Sequence, residues 1–209
     1  MPEPRGRFIT VEGGEGAGKS TQARRLQAAL EAQGRRVLLT REPGGTPGAE
    51  ALRALLLSDA AAWTPLAETL LHFAARADHV AQVIRPALES GTWVVCDRFS
   101  DSTAVYQGVG QGADPGDIAL LAAMMRLTPD LTLVLDVPIE ASVARMAQRN
   151  RGPDRYERLG EAFFTQVRDG FRAVAEAASD RCALIAAEGD ADAVAAAVWA
   201  AVAVRLGSA

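Results

Sequence analysis

The chain has 209 residues, 49% of them hydrophobic, enough to fill the core of one domain carrying a small lid. A net charge of −4 argues against a general nucleic-acid or membrane-surface binder. Two widely separated cysteines, Cys96 and Cys182, offer neither a disulfide framework nor a metal spacing, and read as buried strand thiols of a reducing cytoplasm.

Met1 to Arg7 is short and polar, unlike a signal peptide. Phe8 to Glu12 then reads as an apolar strand. It runs into Gly13-Gly14-Glu15-Gly16-Ala17-Gly18-Lys19-Ser20, which fits the phosphate-cradling spacing G-x-x-x-x-G-K-[ST], and Ser20 to Gln33 follows as an amphipathic helix. Of the 22 basic residues only Lys19 is lysine, kept where a compact point charge suits the phosphates. Backbone N–H groups from Gly13 to Gly18 would converge on phosphate at a helix N-terminus. Lys19 would reach the β- and γ-phosphates of ATP, Ser20 would hold Mg²⁺, and Thr21 ends the ATP-binding run.

Further strands are expected from Val37 to Leu39, Trp93 to Asp97, Leu131 to Asp136 and Cys182 to Ala186, with helical patterns between them. That alternation predicts a five-stranded parallel sheet covered on both faces. Thr64-Pro65 opens a long helix that runs toward Ser90, with Pro86 expected to kink its end. Leu66, Leu70, Phe73 and Ala77 share one face of it, which periodicity assigns to the core. About residues 147–158 the pattern breaks into an Arg-rich Gly-Pro loop, a candidate lid. The final helix, Ala191 to Leu206, is interrupted by charge and by Trp199, so it is no membrane span.

Ligands of open parallel sheets bind where the strands' carboxyl ends emerge. Those ends carry Glu12 with the glycine loop, Arg41-Glu42-Pro43-Gly44-Gly45, Asp97-Arg98 and Asp136. An acid ending an apolar strand beside a phosphate loop suits Mg²⁺, which assigns Asp97 to the metal together with Ser20; a structural cap would look the same. Arg98 can take a second phosphate in a bidentate fork, or be a plain surface arginine. A guanine-selective Asn-Lys-x-Asp motif is excluded, because the single lysine already lies in the loop.

Three stretches in combination, Arg41-Glu42-Pro43-Gly44-Gly45, Asp97-Arg98-Phe99 and Tyr106-Gln107-Gly108, closely resemble the bacterial thymidylate kinases, and the resemblance covers nearly the whole chain. It implies a three-layer α/β P-loop NTPase fold of the nucleoside monophosphate kinase type, a single domain with the lid, cytoplasmic and homodimeric. It also implies transfer of the γ-phosphoryl group of ATP to dTMP, with Mg²⁺ as cofactor and neither nucleic acid nor membrane as partner. By position, Glu15 would contact the dTMP 3′-hydroxyl and help organise the metal region. Gly16 stands where one class of the family carries an arginine. Its absence matches the class whose lid supplies the catalytic arginine, here Arg151 or Arg149, with Arg155 a further candidate. Arg76 would read the thymine edge, Thr103 and Gln107 would contact the base, and Tyr106 would crowd the sugar 2′-position. Arg41 and Pro43 would shape the pocket floor, the Glu42–Pro43 bond being cis in the family, and Arg53 is a candidate on the dTMP phosphate side. Where the family usually stacks a phenylalanine on the base this chain has His72, so either His72 stacks or the helix presents Phe73. His79 has no partner evident in the sequence. Another small nucleotide or nucleoside kinase, or an ATP-binding module without turnover, is the competing reading.

Overall fold

The structure, a computed structural model, describes residues 5–58, 61–148 and 155–207. Five parallel strands form one sheet: β1 (Phe8–Glu12), β2 (Val37–Arg41), β3 (Trp93–Asp97), β4 (Leu131–Asp136) and β5 (Cys182–Ala186), in the spatial order β2-β3-β1-β4-β5. Alternation in β1 sends Ile9 and Val11 to one face and Phe8 to the other. The first face is closed by α1 (Lys19–Ala32) and α9 (Ala191–Leu206), which place Leu26, Leu30, Val194, Val198 and Val202 over Leu131, Leu133 and Leu135. The opposite face carries α8 (Gly160–Ala177), whose Phe164, Val167 and Phe171 pack with Val134. The expected three layers are present, and Cys96 and Cys182 are buried free thiols.

Two features depart from the expected elements. The long helix is broken into α3 (Pro65–His79), a π turn (Val80–Ile84) and α4 (Arg85–Glu89). Pro86 has no N–H to give the preceding turn, and Arg85 N–H bonds five residues back to Val80. The second is a π segment, Ala104–Gly110, after the short α5 (Ser100–Thr103).

The α3 face is a correction to the periodicity argument. Leu66, Leu70 and Ala77 are exposed, and Phe73 alone of the four is buried. The inward side of α3 carries Glu68, Thr69, Arg76 and His79. Glu68, Arg76 and His79 find partners on other elements and Thr69 bonds back to Pro65 O, so an apolar stripe is not what turns this helix inward.

Candidate active site

The order β3-β1-β4 makes β1 and β3 neighbours, although the chain visits β2 between them. Val11 is in register with Asp97, and Arg98 N–H donates to Val11 O at 3.0 Å. The glycine loop after β1 and Asp97-Arg98 after β3 therefore emerge side by side at the switch point of the sheet. A cavity of about 390 Å³ opens there. Lys19, Ser20 and Asp97 line one end; His72, Arg76, Thr103 and Gln107 line the other; Glu15, Arg98 and Tyr106 also line it.

At the phosphate end, Lys19 begins α1 and donates from Nζ to Gly14 O at 2.7 Å, folding the loop over itself. Burial and the Arg98 charge push the Lys19 ammonium down to about 8, against the pull of Glu15, Asp97 and Glu12. The Ser20 hydroxyl donates to the Asp97 carboxylate. Gly16 has φ +73°, and a Cβ there would lie 2.6 Å from Ser142 O, in α7 (Ile139–Ala147). The Ser142 hydroxyl in turn donates to Glu15 O, so α7 braces the loop from behind.

Arg98 is the hub. It is a non-glycine residue at φ +73°, a conformation that needs support from its surroundings. Its guanidinium donates to Gly13 O at 3.3 Å, Ser102 Oγ at 3.1 Å, Tyr106 OH at 3.1 Å and the Glu15 carboxylate. Behind it, fully buried Glu12 accepts from Phe99 N–H at 2.7 Å and Ser102 O–H at 2.6 Å. Burial and the Asp101 carboxylate push the Glu12 carboxyl up to about 7, although those bonds and Arg98 oppose the rise.

At the far end, Arg76 Nε donates to Glu42 at 2.7 Å and Nη2 to Thr103 at 3.2 Å. The π segment brings the consecutive residues Tyr106 and Gln107 both to the cavity. Gln107 Nε2 donates to Glu68 at 3.0 Å; Tyr156 OH also donates to Glu68, at 2.8 Å, and lies 3.2 Å from His72 Nε2. Desolvation and the Arg76 charge push the His72 imidazole down to about 3, so the ring is neutral. His72 lines the cavity, and Phe73 packs with Ala113 and with Ile118 of α6 (Pro115–Met124).

Arg53, on α2 (Pro47–Leu57), and Pro43 line the cavity, with Arg53 Nη1 donating to Pro43 O at 2.9 Å across the cis Glu42–Pro43 turn. Arg41 also lines it and holds Glu50 at 2.7 Å. Asp136 does not reach this cavity; it pairs with Arg168 at 2.6 Å and Arg172 at 3.2 Å behind the loop. Arg149 and Arg151 lie outside the described residues. Arg155 pairs with Glu68 at 2.6 Å. Sequence reasoning also missed Ser102 and Tyr156 as part of this wall, Glu68 behind it, and the buried role of Glu12. A carboxylate at the end of an apolar strand was the visible signal for Glu12; the others had none.

The family model described as thymidylate kinase matches residues 11–198. A thymidylate kinase from Nitrobacter winogradskyi is 54% identical, the match covering 94% of this chain and 88% of that protein. One from Caulobacter vibrioides is 50% identical, with 97% and 98% covered. Among solved structures, thymidylate kinase from Ehrlichia chaffeensis has a TM-score of 0.77 at 36% identity, covering 95% of this chain and 99% of that one. The matched span takes in the glycine loop, the Asp97-Arg98 edge and the base pocket. The chain belongs to the thymidylate kinase family.

Proposed function

We infer that the protein transfers the γ-phosphoryl group of ATP to dTMP, giving dTDP and ADP. The observation that carries this reading is the single cavity running from the phosphate loop to a pocket lined by Arg76, Thr103, Gln107 and His72. Phosphoryl transfer needs two anions aligned and their developing charge neutralised, with little covalent help. Lys19 is placed for the ATP phosphates, and Arg98, midway along the cavity, for the dTMP phosphate. Thr103, Gln107 and Arg76 offer polar groups to thymine, and the neutral His72 ring offers a flat face. Glu15 and Tyr106 meet Arg98 where a sugar would sit, Tyr106 OH lying 3.1 Å from Glu15. A coupled ADP-release assay across dTMP, dUMP, AMP, CMP and deoxythymidine tests the reading: dTMP should be the preferred acceptor, and faster turnover of AMP or deoxythymidine would overturn it.

Mg²⁺ suits the same edge. The Ser20 hydroxyl and Asp97 carboxylate already meet there, and both are the hard oxygen donors that Mg²⁺ takes alongside phosphate and water. When bound it would neutralise phosphate charge. Among the described residues no cluster of three or more acidic, His or Cys side chains could hold a metal, which fits a cation held partly by its nucleotide rather than by a protein cage.

We place the catalytic arginine in the 147–158 lid, Arg151 first and Arg149 next, because a side chain at Gly16 is blocked by Ser142. Arg151→Ala should lower kcat about 100-fold or more while raising the dTMP KM less, as measured by steady-state kinetics. Arg155, engaged by Glu68, serves this reading less well. A homodimer fits the exposed Leu66 and Leu70 of α3 and Leu120 and Met124 of the adjoining α6, apolar side chains spaced i, i+4. No helix among the described residues is long and apolar enough to cross a membrane. A cytoplasmic location fits the two free buried thiols.

A further inference from the structure

At the floor of the base pocket three ionisable side chains form one buried line. Arg76 is 2% exposed, Glu42 4% and His79 0%. Glu42 Oε2 accepts from Arg76 Nε at 2.7 Å, and Glu42 Oε1 accepts from His79 Nδ1 at 3.0 Å. A carboxylate only accepts, so Nδ1 carries the ring hydrogen, and Nε2 takes the Thr40 hydroxyl at 2.8 Å. With Nε on Glu42 and Nη2 on Thr103, the third nitrogen of Arg76, Nη1, is buried without a hydrogen-bond partner. A buried donor left in that condition at a cavity wall points to a ligand acceptor.

The strip after β2 is shaped around the imidazole. Gly45 has φ +91°, and a Cβ there would lie 2.4 Å from both Cδ2 and Nε2 of His79. The second glycine of Arg41-Glu42-Pro43-Gly44-Gly45 is thus required by the ring it abuts. A residue that merely filled this space could be aliphatic; His79 instead has a polar partner at each ring nitrogen.

We propose that His79 is a specificity-determining positioning residue: by fixing the Glu42 carboxylate it holds Arg76 so that the remaining N–H meets a pyrimidine 4-carbonyl and opposes a 4-amino group. The proposal rests on the reading of Arg76 as the group facing the thymine edge. A guanidinium offers donors only, so thymine O4 is accepted, whereas the cytosine amino group sets donor against donor. Released from His79, Glu42 becomes an acceptor free to turn toward a 4-amino group, and discrimination falls.

The test compares kcat/KM for dTMP and dCMP, with the ATP KM and the melting temperature followed in parallel. His79→Asn keeps an amide N–H near the place of Nδ1 and so retains Glu42. His79→Gln reaches Thr40 instead and loses Glu42. The dTMP:dCMP preference should stay within about threefold of the parent in His79→Asn and fall about 10- to 100-fold in His79→Gln, mainly through the dTMP KM, with the ATP KM unchanged. Parental preference in His79→Gln alongside a collapsed preference in Arg76→Gln overturns this proposal alone. Parental preference in both variants overturns the base-edge reading on which it stands. Equal loss in His79→Asn and His79→Gln with lowered melting temperature reduces the ring to packing and overturns it as well.

Discussion

Lys19→Ala should cut turnover about 10²- to 10³-fold or more while the dTMP Kd changes by less than about threefold. The side chain is a preorganised cation aimed at the ATP phosphates, and removing one such donor from a water-poor site costs on that scale. It sits at the loop end of the cavity, away from Arg76, Thr103 and Gln107, so base binding has no reason to follow. Isothermal titration with dTMP and steady-state kinetics with ATP separate the two; weakened dTMP binding at unchanged turnover would contradict the placement. A pH dependence follows from the same residue. Burial beside Arg98 pushes the ammonium down to about 8 in the free protein, and bound phosphates favour its charged form. ATP affinity should therefore be highest below pH 8 and weaken as pH rises from 8 toward 9.5, with proton uptake on binding. Lys19→Arg, which does not titrate in this range, should flatten that profile whatever its activity.

Arg98→Ala should be the more damaging change, lowering kcat/KM for dTMP about 10³-fold or more. Burial opposes its charge, but Tyr106, Glu15, Asp97 and Glu12 outweigh that and hold the guanidinium ionised well beyond any working pH. Its fork is shared among Gly13 O, Ser102, Tyr106 and Glu15, and a lysine ammonium cannot reproduce that geometry. Arg98→Lys should therefore recover little. The loss should appear in both kcat and the dTMP KM, because the side chain orients the acceptor before transfer and stabilises charge during it. An effect confined to the ATP KM would remove Arg98 from the acceptor side. Circular dichroism and a melting curve check that the strained backbone at this position survives the substitution.

What could be read from the sequence was whatever chemistry the chain keeps contiguous. The strand, loop and helix around Lys19 are local, as is the apolar run that ends at Asp97, and the structure brings them to one edge. The inward face of α3 was misassigned because periodicity counts apolar residues, and this helix buries Glu68, Arg76 and His79 instead. Their partners, Gln107, Glu42 and Thr40, lie 39, 34 to 37 and 39 residues away, so no local pattern announces them. Glu12 was visible at the edge, but its burial beneath Phe99 and Ser102 depends on the α5 turn, which has no signature of its own. The π segments escaped for the same reason: Pro86 marked a break without fixing its form.

The contact behind Gly16 also bears on what can be grafted into this loop. An arginine reaching the phosphates from that position must first displace the Ser142 carbonyl, 2.6 Å from where its Cβ would stand, and Ser142 is tied to the loop by its own hydroxyl. In this chain any side chain at position 16 therefore disturbs the loop unless α7 shifts with it, and an arginine grafted there should need helix and loop to be moved together.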